Sequence, residues 1–208
     1  MKSTLDSIIF DLDGTLWDST ETIAIAWQKA LDQLGMSDKS ITAETVRGLA
    51  GMPYDAIYDK LFPDLKGEKR EKLKQLCARL ELETLQERGG VLYPEVKETL
   101  EFLKGKYKLA IVSNCQSGYI ETFLEHHSLH AYFTDHECYG NKGMSKGENI
   151  REVVSRNNLQ QAVYIGDTTG DYEASQIAQV PFILAAYGFG TVEVEVESIK
   201  QFADLKHL

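Results

Sequence analysis

Proline is scarce in this chain, four residues in 208, and there is no low-complexity tract. A sequence short of both does not read as disordered or as domains strung on long linkers. Cysteine is scarce too: Cys77, Cys115 and Cys138 are odd in number and widely spaced. That excludes a disulfide framework and fits reduced thiols in a cytoplasmic protein. Basic charge is in deficit, with 22 Lys and Arg against 32 Asp and Glu and a net charge of −10. Nucleic acid and anionic membrane both call for clustered cations, so neither is expected as a partner. No apolar run approaches the roughly 20 residues of a membrane-spanning helix. Lys2 is followed by Asp6 rather than by a long apolar run and a cleavage site, so no secretory leader is expected.

What is present suffices for a folded core. Hydrophobic residues make up 43% and charged residues 26%, and the length allows one domain or a core carrying a smaller insertion. Ser7-Ile8-Ile9-Phe10 is a short apolar run that stops at Asp and Gly, as a buried parallel strand meets its loop. Asp18 and Glu21 have the spacing of a capping box. Ile23, Trp27, Ala30, Leu31 and Leu34 then recur at helical intervals up to Gly35. Further helices are predicted near 43–49, 54–61 and 68–87, and no strand between Trp17 and Arg88.

Past Gly89-Gly90 helix and strand alternate. Pro94 suits the start of a helix through Val96, Leu100 and Leu103. Strands are predicted at 109–112, 132–139, 162–165 and 181–185, and helices at 116–127, 147–157 and 171–179. This pattern predicts an α/β fold: a doubly wound, Rossmann-like parallel sheet with an inserted all-helical block. The core would comprise 1–16 and 88–208, the insertion 17–87. Asp11, Ser113 and Asp167 then follow the C-terminal ends of three apolar strands, the edge at which open α/β sheets bind ligands.

Asp11-Leu12-Asp13-Gly14-Thr15-Leu16 is the most informative string. Residues two apart in an extended chain share a face, so Asp11 and Asp13 can enter one crevice. Two carboxylates followed by a glycine turn suit a site needing a nucleophile and a proton donor. A strand-to-loop junction would carry the same residue types, and so would part of a calcium loop. The calcium reading fails because no further oxygen ligands and no terminal Glu follow at the required spacing.

Asp11-x-Asp13-Gly14-Thr15 resembles the first signature of the haloacid dehalogenase-like superfamily. Ser113, closing the strand Ile111-Val112, resembles the second, and Lys146 at a helix start resembles the third. Gly166-Asp167-Thr168-Thr169-Gly170-Asp171 resembles the fourth. The resemblance spans nearly the whole chain and implies roles. Asp11 would form an aspartyl-phosphate that water hydrolyses, and Asp13 would serve as acid and then base. Asp11, Asp13 through its backbone carbonyl, Asp167 and Asp171 would hold Mg²⁺, Asp171 through water, or Asp171 would instead orient Lys146 or simply favour a helix N-terminus. Ser113, Asn114, Thr15 and Lys146 would contact the phosphoryl group. In a chain this acidic, a bound cation and a lysine are what let a phosphate approach.

Within the superfamily, the second aspartate favours phosphate esters over carbon–chlorine or carbon–phosphorus bonds, because an alkoxide leaving group needs a proton. A helical insertion directly after the first motif resembles the phosphoglycolate-phosphatase and β-phosphoglucomutase group. So do Val46-Arg47-Gly48, Gly51-Met52-Pro53, Leu61-Phe62-Pro63 and Leu92-Tyr93-Pro94-Glu95-Val96. Arg47 would reach a substrate carboxylate or second phosphate from the insertion, or stand solvated at a helix end. Two residues depart from the group: Glu95 replaces the usual glycine, and Gly147 the usual proline. The reading favours a cytoplasmic, Mg²⁺-dependent phosphatase acting on a small phosphorylated metabolite, with a phosphoglycolate-like ester first. Its rivals are a sugar-phosphate phosphomutase and a non-catalytic phospho-ligand-binding protein, the latter disfavoured because binding alone has no use for Asp13.

Quieter features add little. Trp17 and Tyr54 are expected to pack between core and insertion or line the cleft. His126, His127, His130, His136 and Cys138 match no zinc spacing. Cys115 is expected near the site rim, Gly188-Phe189-Gly190 as a turn beside the site, and Glu193–Glu197 as solvated surface.

Overall fold

The computed structural model describes residues 5–208. Residues 1–4, which include Lys2 and the start of the predicted 1–16 segment, lie outside the described residues. Strand β1 (Ser7–Phe10) is buried along its whole length. Ile8 and Phe10 join one apolar cluster and Ile9 a second on the opposite face. Alternate side chains of a strand point to opposite faces, so burial on both sides turns the expected alternation into a continuous apolar run.

Six strands form the main sheet, all parallel: β1, β4 (Lys108–Ser113), β5 (Asp135–Cys138), β6 (Ala162–Gly166), β7 (Phe182–Ala185) and β8 (Glu197–Ile199). Their order is β5-β4-β1-β6-β7-β8. The chain winds from β1 outward through β4 and β5, then returns to the other side of β1 for β6, β7 and β8. That reversal opens a crevice beside β1. Phe10 pairs with Ile111 on one side and Ile165 on the other, so Asp11, Ser113 and Asp167 emerge at nearly one level.

Between β1 and β4 run α1 (Thr20–Gln33), α2 (Ala43–Arg47), α3 (Tyr54–Leu61) and α4 (Gly67–Arg88). Two details here differ from the sequence reading. A short strand, β2 (Trp17–Asp18), pairs antiparallel with β3 (Val91–Leu92), tying together the two places where the chain passes between the sheet and the helices. Two residues carry no periodicity, so nothing in the pattern announced them. Nor does an Asp18–Glu21 capping box form. The helix begins at Thr20, and Asp18 Oδ1 instead accepts from the backbone N and hydroxyl of Thr20, at 2.9 and 2.6 Å.

The remaining helices are α5 (Val96–Lys104), α6 (Tyr119–His127), α7 (Tyr139–Lys142), α8 (Lys146–Arg156) and α9 (Thr169–Ala178), with 3₁₀ turns at His130–Tyr132 and Phe202–His207. Helix α6 starts three residues later than predicted because the Gln116 side chain reaches back to α4, donating to Ala78 O and Glu81 Oε1. The predicted 132–139 strand is trimmed at both ends by the 3₁₀ turn and α7. Strand β8 begins at Glu197, where the acidic alternation was read as surface, and adds a short edge.

Both departures at the family-pattern positions have a physical reading. Glu95 sits at φ +59°, ψ +15°, the left-handed conformation that glycine adopts without cost. Gly147 lies where α8 packs against α9: a Cβ there would come within 2.7 Å of Ile177 Cβ and 3.0 Å of Ala174 O. Ile177 Cβ is fixed to the backbone and cannot swing away. Gly147→Ala should therefore destabilise the fold by about 1–3 kcal/mol, read as a lowered urea midpoint. An unchanged midpoint would contradict this packing.

Candidate active site

The loop after β1 is shaped by hydrogen bonds. Leu16 N donates to Leu12 O at 2.8 Å and Gly14 N to Trp17 O at 2.9 Å. Gly14 has φ +85°, and a Cβ on it would fall 2.2 Å from Asp167 Oδ2. From the other side, a Cβ on Gly188 would lie 2.3 Å from Asp167 Cβ. Two glycine turns thus close around one carboxylate, and Gly188-Phe189-Gly190 is one of them. Phe189 N donates to Asp167 Oδ2 at 2.7 Å. Asp167 Oδ1 is buried with no hydrogen-bond partner among the described residues.

Lys146, at the first turn of α8, reaches this centre. Its Nζ donates to Asp11 Oδ1 at 2.9 Å and to Asp171 Oδ1 at 2.6 Å, all three residues being at most 5% exposed. Burial opposes the lysine's charge, but the carboxylates of Asp11 and Asp171 outweigh it and hold the pKa above the ordinary lysine value. Asp171 Oδ2 accepts from the backbone N of Asp167 and Thr168 and from the Thr168 hydroxyl, at 3.2, 3.0 and 2.6 Å. Tyr164 OH donates to its Oδ1 at 3.2 Å. Burial works against the Asp171 charge, yet Lys146 and these donors keep its pKa low.

Asp11 and Asp167 have less such support, chiefly Lys146 for the first and Phe189 N for the second. Burial, reinforced by Asp171 and only partly offset by Lys146, raises Asp11 well above the carboxylate range. The same two causes push Asp167 up to about 7. Oxygens of Asp11, Asp167 and Asp171 lie within 4.8 Å of one another. Three crowded carboxylates, one with an orphaned buried oxygen, form a donor set that fits a hard divalent cation. The histidines at 126–136 and Cys138 form no such group among the described residues.

Asp13 occupies a different environment. Its Oδ1 accepts from Ser19 Oγ at 2.5 Å and from Tyr119 OH at 2.9 Å, the two hydroxyl oxygens lying 2.9 Å apart. Burial raises its pKa against the pull of those donors, and a carboxyl so placed can hold a proton. Ser19 and Tyr119 escaped the sequence reading. Ser19 sits where a helix N-cap would conceal any other role, and Tyr119 is 106 residues away from Asp13.

A cavity of about 80 Å³ joins these groups to the helices between β1 and β4. Asp11, Asp13, Ser113, Asn114, Cys115 and Lys146 line it from the sheet side. Asn114 Nδ2 donates across it to Gly51 O at 2.9 Å. Thr15 is buried below the loop, and its hydroxyl has no partner among the described residues. Tyr54 is in the lining, whereas Trp17 is wholly buried against Tyr119 and Phe123. Arg47 stays outside the lining, bonded to Asp18 Oδ2 at 3.1 Å and Glu44 Oε2 at 3.3 Å, over the Phe189 ring.

Residues 8–185 match the family described as haloacid dehalogenase-like hydrolase. A phosphoglycolate phosphatase of Aquifex aeolicus is 32% identical over 191 residues, covering 88% of this chain and 85% of its own. One from Vibrio parahaemolyticus is 33% identical over 195 residues, covering 88% and 84%. A haloacid dehalogenase-like hydrolase of Streptococcus pneumoniae shares the fold with a TM-score of 0.79 at 23% identity, covering 98% of each chain. The chain belongs to the haloacid dehalogenase-like hydrolases. Within them it stands on the phosphoglycolate-phosphatase-like side and is an enzyme of the phosphatase kind. Among the described residues, no helix is long and apolar enough to cross a membrane.

Proposed function

We propose that this enzyme hydrolyses a small phosphate monoester in two displacements on Asp11, with Mg²⁺ as its metal. One observation carries the reading. Asp11 lies buried on the Lys146 ammonium, at 2.9 Å, while the Asp13 carboxyl two residues on meets Ser19 and Tyr119, where burial favours its protonated form. A nucleophile beside a cation and an acid in the same loop is what ester cleavage at phosphorus needs.

In the first displacement an Asp11 oxygen attacks phosphorus and the ester P–O bond breaks. Asp13 gives its proton to the departing alkoxide. In the second, water attacks the phosphoryl group on Asp11 and Asp13 takes its proton, restoring both carboxyls and releasing inorganic phosphate. Lys146 and Ser113 hold the phosphoryl oxygens, with Thr15 supporting the loop. Asn114 couples that end to the helices through Gly51. Asp11, Asp167 and the Asp13 carbonyl would hold Mg²⁺, which when bound supplies the positive charge that lets an anionic nucleophile meet an anionic phosphate. Both oxygens of Asp171 are engaged, which favours its positioning Lys146 over direct metal contact. Residues 17–87 would act as a cap excluding water during chemistry, and the β2–β3 pairing supports that division from a core of 1–16 and 88–208.

The relatives make phosphoglycolate the reference ester for assay. With Mg²⁺, free phosphate should appear in one-to-one proportion to ester consumed. A rearranged sugar phosphate formed without free phosphate would instead identify a mutase, and Mg²⁺-dependent ligand binding without any turnover a binding protein.

A further inference from the structure

The wall that the helical segment gives the cavity is largely apolar. The helical segment contributes Ile23, Trp27, Leu49, Met52, Tyr54 and Ile57, all carrying apolar surface. One charged side chain stands among them: Glu81 of α4, 3% exposed yet part of the lining. Its Oε2 accepts from Trp27 Nε1 at 2.6 Å and its Oε1 from Gln116 Nε2 at 2.9 Å. Each carboxylate oxygen can accept two hydrogen bonds, so both retain capacity. Lys146 is the sole cation in the lining among the described residues, and its ammonium already serves Asp11 and Asp171. Arg47, the cation of the helical segment nearest in sequence to the lining, is bonded away to Asp18 and Glu44.

An anionic group on the alcohol half would therefore be buried facing a carboxyl, with no counterion. A buried charge without a partner is strongly disfavoured, whereas a hydroxyl or ammonium would find a ready acceptor. Burial also pushes Glu81 up to about 7, against the pull of Gln116 and Trp27.

We propose that this enzyme prefers phosphate monoesters whose alcohol half is largely apolar and offers a hydrogen-bond donor to Glu81, and that it discriminates against esters bearing a carboxylate. The proposal rests on the phosphatase reading above and departs from the substrate for which the sequence relatives are named. Glu81 is its specificity-determining residue. A role confined to clamping α1, α4 and α6 through Trp27 and Gln116 would affect stability and leave the substrate profile alone.

The test compares kcat/KM for 2-hydroxyethyl phosphate, ethanolamine phosphate and phosphoglycolate, which share a two-carbon body, with an aryl phosphate as control. The full chain is assayed with Mg²⁺. The hydroxyl or the ammonium ester should exceed phosphoglycolate by at least about tenfold, and whichever leads identifies the donor. Glu81→Gln should narrow that ratio at least threefold. Met52→Lys, which places a cation in the same wall, should raise phosphoglycolate turnover even if Glu81→Gln folds poorly. Phosphoglycolate leading in the wild-type enzyme, or a ratio unmoved in a folded Glu81→Gln, would overturn the proposal. Phosphate release from none of the four esters would overturn the phosphatase reading itself, and the proposal with it.

Discussion

Asp11→Asn should lower phosphate release from an aryl phosphate by on the order of 10⁴-fold or more while leaving the fold intact. Losses of that size follow removal of a nucleophile that works as one unit with its acid–base partner. Asparagine keeps the shape of the side chain and presents an oxygen toward Lys146, but a neutral amide is a poor nucleophile toward phosphorus. Loss of activity through misfolding is distinguishable, because stability should move the other way. Burial and neighbouring Asp171 raise the Asp11 pKa in the folded chain. A carboxyl raised in this way favours the folded state while protonated, and that contribution is lost as pH rises through its folded value. In the metal-free protein this carboxyl is therefore a cost at any pH above its unfolded value. Asp11→Asn should leave the metal-free melting temperature unchanged or higher. Activity within tenfold of wild type would remove Asp11 from the nucleophile's role.

Removing Mg²⁺ should abolish turnover reversibly and expose a pH-dependent weakness in the same carboxylate cluster. Asp167 is pushed from an ordinary value of 3.8 up to about 7 by burial and then by Asp171. The sign is that of a raised carboxyl. Its stabilising contribution is complete below pH 4 and is lost as pH climbs toward and through 7, a total of a few kcal/mol at most. Metal-free protein should therefore melt at a lower temperature at pH 8 than at pH 5. A divalent cation meeting the orphaned Asp167 Oδ1 favours the ionised form, so Mg²⁺ should stabilise the protein more at pH 8 than at pH 5. Asp167→Asn should flatten this dependence and lose activity. Equal stabilisation by Mg²⁺ at both pH values, or turnover that survives a chelator, would contradict the assignment.

The parts of this site visible in the sequence share one property: they are fixed by strand ends. Apolar runs at Ile8–Phe10, Ile111–Val112 and Val163–Ile165 define where β1, β4 and β6 stop. The first one or two residues after each run must then fall at the sheet's edge. Asp11, Ser113 and Asp167 were legible for that reason, and the all-parallel order explains their convergence. Contacts made across the fold carried no local signal. Tyr119 at the start of α6 on Asp13, and Gln116 in the loop before it on Glu81, have partners that lie far off in sequence. Glu81 itself sits in a run rich in Glu, Lys and Arg, where one buried carboxyl looks like its exposed neighbours. Arg47 shows the opposite limit. Its position suggested either a reach toward substrate or a solvated helix end, and it is bonded to Asp18 and Glu44 over the ring of Phe189, a residue of the cavity lining.

The central claim is that phosphate passes through a covalent bond to Asp11. Acid quenching during steady turnover, followed by mass spectrometry of the proteolysed protein, tests it most directly. The account predicts one added phosphoryl group on the peptide containing Asp11, lost on treatment with hydroxylamine and absent from Asp11→Asn. A phosphoryl group on another residue, or rapid turnover with no labelled peptide at any quench time, would contradict it.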